Sequence, residues 1–137
     1  MKVIGLQIKS TEAILVVLKK EADGSLIQTD ECIKFNIADP SDPIQVRQFR
    51  DQINSAFDNI DPGKIAILAR NHKAKGTMTP SPMSFKLEGI IQLYDKKPIA
   101  LIWPQSVLAF TKKNSPPDAK YTYQQDAINL AFFALNN

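Results

Sequence analysis

The chain is poor in the residues on which several kinds of chemistry depend. It holds one cysteine, one histidine, one tryptophan and five glycines in 137 residues. With Cys32 alone no intrachain disulfide can form, so an apolar core must hold the fold, and the usage suits a reducing compartment. Cys32 sits beside Ile33 in an expected strand, where a buried structural thiol is favoured over a nucleophile. The lone His72 gives a multi-histidine metal site or a Ser-His-Asp triad little to build on. The Gly-x-x-x-x-Gly-Lys-Ser/Thr spacing of a phosphate loop is absent, so Gly76 marks no such motif. No apolar run approaches the ~20 residues of a membrane span, and the N-terminus lacks a secretory h-region and cleavage site. A cytoplasmic location with no membrane partner is the expectation. Nothing repetitive or linker-like divides residues 1–137, which are expected to form a single domain.

What is present is 44% hydrophobic and 23% charged residues, enough for an ordinary globular core. The net charge of +3 is unevenly spread. Residues 1–69 carry eight Lys/Arg against ten Asp/Glu, whereas residues 70–120 carry nine against three; the last seventeen residues add only Asp126. The basic central third is either a face that meets an anion such as nucleic acid or a solvated lysine-rich surface.

The apolar pattern predicts an α/β protein. Lys2–Lys9 and Glu12–Lys20 read as strands joined at Ser10-Thr11, the second so apolar that both its faces must be covered. Ala22-Asp23-Gly24-Ser25 has hairpin-turn composition. A third strand is predicted from Leu26 to Ile37, with Ile33, Phe35 and Ile37 on one face, completing an antiparallel meander. Asp42 then caps a helix with Pro43 at its first position, presenting Val46, Phe49, Ile53, Ala56, Phe57 and Ile60 before Asp61-Pro62-Gly63 stops it. A short strand, Lys64–Ala69, precedes a polar loop from Arg70 to Pro82. A helix from about Met83 to Tyr94 follows, burying Met83, Leu87, Ile90, Ile91 and Tyr94. A strand spans Pro98–Ile102, and helices cover roughly Gln105–Lys112 and Tyr121–Leu135, the last turning Ala127, Leu130, Ala131 and Ala134 inward. The expected sheet is mixed and five-stranded, with the first strand central between the second and fourth.

Three places carry candidate function on the residues alone. Arg70-Asn71-His72-Lys73-Ala74-Lys75-Gly76 leaves the carboxyl end of a strand, where ligand sites of open sheets gather. Arg70, His72, Lys73 and Lys75, with Lys86 on the following helix, are the candidate nucleic-acid contacts, through charge-assisted bonds to phosphate. Trp103, before Pro104, is expected as a staple or core anchor rather than a base-stacking ring. Phe132 and Phe133 point about 100° apart on a helix, so one could form an apolar tail for a homodimer.

The element order resembles the ribonuclease H fold, and local stretches resemble its RuvC-like resolvase branch. These are Val3-Ile4-Gly5-Leu6-Gln7, Phe85-Lys86-Leu87-Glu88-Gly89-Ile90-Ile91, Trp103-Pro104-Gln105-Ser106-Val107 with Lys112-Lys113, and Gln125-Asp126-Ala127-Ile128-Asn129-Leu130-Ala131. Gly5-Leu6-Gln7-Ile8-Lys9 and Phe85-Lys86-Leu87-Glu88 are also similar to a small bacterial family of uncharacterised proteins whose opening strand carries an acid where this chain has Gln7. In active resolvases, the resemblance implies, carboxylates from the first strand, the fourth strand and the last helix hold two Mg²⁺ ions about 4 Å apart. Here those positions fall on Gln7, on Leu68, Ala69 or Arg70, and on Asp126; a further acid would fall on Thr122 or Tyr123. An amide is a poor ligand for Mg²⁺ beside a carboxylate. The resemblance therefore implies a remnant site of Gln7, Glu88 and Asp126, with Asp126 the one candidate metal ligand and Mg²⁺ the candidate cofactor. Gln7 is otherwise a hydrogen-bonded core residue, and Asp126 a first-turn acid favourably placed against a helix dipole. The expected function is a catalytically degenerate, pseudo-nuclease protein that binds nucleic acid or a protein. The alternative is a Mg²⁺- or Mn²⁺-dependent nuclease with a rearranged site.

Overall fold

The computed structural model describes residues 1–70 and 81–137. Its centre is an antiparallel hairpin of β1 (Lys2–Lys9) and β2 (Glu12–Lys20), closed by Ser10 at φ 53°. Six consecutive residues of each strand are buried, as two-sided coverage requires of such apolar runs. β5 (Lys64–Leu68) lies parallel to β1 and β6 (Ile99–Ile102) parallel to β5. Across the sheet β2, β1, β5 and β6 follow one another, with a short strand β3 (Leu26–Gln28) outside β2, so β1 is flanked by β2 and β5.

The single long third strand expected from Leu26 to Ile37 is two strands, so among the described residues the sheet has six strands rather than five. β3 (Leu26–Gln28) pairs with the far half of β2 and β4 (Ile33–Asn36) with its near half. Between them Thr29 Oγ1 accepts from the Glu31 backbone N–H and the Cys32 thiol donates to the Thr29 carbonyl. These local bonds draw the backbone off the ladder. Cys32 is therefore a half-buried break residue, not a strand residue. Ile33 is 38% exposed while Phe35 and Ile37 are buried.

Alternation along the sheet sorts the core into two layers. Ile4, Leu6 and Ile8 face α1 (Pro43–Ile60) and α2 (Pro82–Ile91), packing with Phe49, Ile53, Phe57, Leu87, Ile91 and Tyr94. Each fully buried Ile, Leu or Phe here is worth roughly 1.5–3 kcal/mol. Asp42 caps α1 by accepting from the Ile44 N–H, and Asp61 ends it in the left-handed region. α2 stops at Ile91, short of Tyr94, and Met83 at its start is 40% exposed rather than buried.

Val3, Ile14, Val16 and Leu18 face α4 (Gln125–Asn136), which follows a 3-10 turn at Thr122–Gln124, and α3 (Pro104–Lys113). Gly5 permits this packing. A Cβ there would lie 2.3 Å from the Ala127 carbonyl oxygen and 3.0 Å from the Ala131 Cβ. The backbone of α4 thus rests directly on β1, and that close approach sets the start of α4 over Gln7. Phe132 and Phe133 both pack on Phe110, at 5.4 and 5.5 Å between centroids, so neither forms the exposed apolar tail considered above. Among the described residues no helix is long and apolar enough to cross a membrane.

Candidate functional site at the head of the sheet

Gln7 lies near the end of β1 on the α4 side, and Asp126 in the first turn of α4. Gln7 is 6% exposed, and its Nε2 donates to Asp126 Oδ2 at 3.0 Å. The other amide atom, Oε1, is buried with no hydrogen-bond partner among the described residues. Asp126 opens onto a groove of about 230 Å³ lined also by Leu68, Pro104, Val107, Leu108 and Asn129.

Glu88 does not join this pair. It projects from α2, which packs on the opposite face of the sheet, and its Oε2 accepts from the Arg70 backbone N–H at 2.9 Å. Lys86, two residues earlier on α2, bonds instead to the Pro40 carbonyl. Arg70, just past β5, turns inward. Its Nη1 donates to the Ile8 carbonyl at 2.7 Å and its Nε to Ser84 Oγ at 3.3 Å. Burial lowers the pKa of the guanidinium, and the Glu88 carboxylate opposes that shift. Arg70 thus staples the end of β1 to α2 through its side chain. Nothing in the local sequence signalled this role, because both partners are distant in the chain.

Trp103 is not a core anchor. It is 48% exposed at the N-cap of α3 and lines a second groove with Ala69, Arg70, Phe85, Glu88 and Leu101. Asp126 and Glu88 therefore open into different grooves on opposite layers. His72, Lys73 and Lys75 lie outside the described residues.

The donor set does not fit a pair of Mg²⁺ ions. Such ions require clustered anionic oxygen. Here one carboxylate is present, one of its oxygens is already engaged by an amide N–H, and the acid nearest to it in expectation is held across the sheet by Arg70. Among the described residues no group of three or more His, Cys, Asp or Glu side chains could hold a metal. Residues 71–80 contain no acid to complete one.

A mixed sheet with a central antiparallel hairpin, parallel strands added on one side and helices on both faces is the ribonuclease H-like architecture in its RuvC-like form. Thermus thermophilus RuvC in complex with a Holliday junction substrate is similar at a TM-score of 0.72 and 14% identity, covering 97% of this chain and 92% of that one. Fowlpox virus resolvase with Holliday junction DNA is similar at 0.57 and 14%, covering 99% and 97%. The yeast mitochondrial Holliday junction resolvase Ydc2 is similar at 0.58 and 11%, covering 98% and 68%. At these identities the likeness is one of fold. The chain belongs to the family described as "Protein of unknown function (DUF3010)", whose profile matches residues 1–134. No curated protein sequence matches it.

Proposed function

We propose that this chain binds nucleic acid on a resolvase-type fold without two-metal cleavage of phosphodiesters. The observation that carries the reading is the Gln7–Asp126 pair: an amide N–H occupies the carboxylate at the head of the sheet, where a cleaving site would gather negative charge. The basic balance of residues 70–120 supports contact with a polyanion, and proteins of similar fold were solved with Holliday junction DNA. The candidate phosphate contacts are His72, Lys73, Lys75 and Lys86, while the Arg70 guanidinium is committed to the Ile8 carbonyl and Ser84.

The test is filter binding to a four-way junction, a duplex and a single strand across a salt series, with cleavage followed in Mg²⁺ and Mn²⁺. Binding should weaken steeply with salt, since each neutralised phosphate releases counterions, and the DNA should stay intact. No association at low salt removes the nucleic-acid reading. The alternative reading, a nuclease with a rearranged site using Asp126, Glu88 and Gln7, requires Glu88 to leave the Arg70 N–H and reach across from the opposite layer. Metal-dependent nicking that disappears in Asp126→Ala would establish that reading in place of the first.

A further inference from the structure

Tyr121 and Tyr123 stack on each other just ahead of α4, with centroids 6.0 Å apart and planes inclined by 17°. The Lys34 ammonium lies 4.1 Å from the centroid of Tyr123. Tyr121, 63% exposed, is the open end of this stack. We propose that Tyr121 is a stacking platform for an unpaired nucleobase, with Lys34 serving the strand's phosphate charge.

Three features make this a prepared surface rather than two loose side chains. The 3-10 turn that carries the rings is pinned from below. Buried Gln124 accepts from Gln28 Nε2 at 2.8 Å through its Oε1, and its Nε2 donates to the Tyr123 hydroxyl at 3.3 Å. Gln28 Oε1 in turn accepts from the Lys120 N–H at 2.8 Å. The stack is also ordered at its inner end by the cation over Tyr123, which favours aromatic geometry through the ring quadrupole. Finally, the platform borders the head of the sheet. Register places Lys34 opposite Ile14 and Ile14 opposite Gln7, so Lys34 is two strands, roughly 10 Å, from Gln7 on the same face. Tyr123 is one turn before Asp126.

The chemistry selects the ligand. Two near-parallel rings with a free outer face extend by adding a third flat π-system, and any base supplies one whatever its identity. Among the described residues Lys34 has no carboxylate within ion-pair distance, so its charge is available to phosphate. Lys120 is tied to Asp30 and is not assigned this role. A paired base inside a duplex cannot reach Tyr121 face to face, so the platform takes single-stranded or splayed segments.

This inference rests on the nucleic-acid reading above, and the experiment separates the two. Anisotropy of a labelled oligothymidylate and of a duplex is measured with wild type, Tyr121→Ala and Tyr121→Phe, all checked by thermal melting; a 2-aminopurine oligonucleotide reports stacking directly. Tyr121→Ala should weaken single-strand binding roughly 5- to 100-fold, the loss of one base–aromatic stack, with duplex binding unchanged. Tyr121→Phe should bind like wild type, and 2-aminopurine should be quenched by wild type and Tyr121→Phe but not by Tyr121→Ala. Single-strand affinity unchanged in Tyr121→Ala, or equally lost in Tyr121→Phe, overturns the platform. Wild-type binding to duplex or junction with none to single strands overturns the platform and leaves the nucleic-acid reading standing. Wild type that binds no nucleic acid at low salt overturns both.

Discussion

Replacing Gln7 by glutamate exposes the electrostatics of the sheet head. The substitution keeps the side chain's shape and turns the amide that donates to Asp126 into a second carboxylate about 3.0 Å away. Two unit charges at that distance repel by about 1.4 kcal/mol in bulk water and about 5.5 kcal/mol at an effective dielectric of 20. Gln7 is buried but Asp126 is exposed, so the value falls in the lower half of that interval. Protonation sets a ceiling. Holding a proton on an ordinary carboxylate, with a pKa near 4, costs about 4 kcal/mol at pH 7 and about 1 kcal/mol at pH 5. The variant should therefore unfold about 1.5–3.5 kcal/mol more easily than wild type at pH 7, by urea titration followed by circular dichroism, and by about 1 kcal/mol or less at pH 5.

The sign follows from linkage. Repulsion raises the pair's folded pKa above its unfolded value, so the folded variant holds more protons and loses stability as pH rises above about 4. A divalent ion offers the other remedy: millimolar Mg²⁺ or Mn²⁺ should restore the variant's melting temperature while leaving wild type unmoved. Equal destabilisation at pH 5 and pH 7, together with no response to either ion, would refute the claim that positions 7 and 126 meet.

Other perturbations test the packing around the site. Gly5→Ala should destabilise the protein by about 3 kcal/mol, because the added methyl meets a backbone carbonyl that only a shift of α4 can relieve; denaturant unfolding measures it. Glu88→Ala should cost about 1–3 kcal/mol and Glu88→Gln less, since the amide oxygen can still accept from the Arg70 N–H. Burial and then the Asp58 hydrogen bond push the Tyr94 hydroxyl up to about 12. Ultraviolet titration should show a tyrosine ionising there that vanishes in Tyr94→Phe. A raised folded pKa means that the associated stability is complete below pH 10 and lost as pH climbs toward 12.

Reading the chain alone succeeds where the signal is local. The continuous apolar run of β2 requires cover on both faces whatever surrounds it, and β2 lies beside β1 at the centre of the sheet. The start and stop of α1 are written in Asp42-Pro43 and Asp61-Pro62-Gly63, whose effects reach only a turn. Composition likewise placed the basic residues in the central third. Local pattern failed at Met83 and Trp103, which have core-like side chains but stand at helix starts where no element among the described residues covers them fully. It failed also at Thr29–Cys32, where side-chain bonds interrupt a stretch with good strand composition.

The candidate site was decided in three dimensions. Gln7 and Asp126 are 119 residues apart and meet because Gly5 lets α4 settle on β1. Arg70 and Ile8 are 62 apart, and their bond commits to the fold a guanidinium that the sequence offered equally to phosphate. Glu88 is close to the same sheet end in the chain's topology, yet alternation of faces puts it on the far layer from Gln7. Periodicity says which residues share a face of one element. Which faces of different elements meet depends on register, crossover and backbone approach, and those are properties of the whole packed molecule.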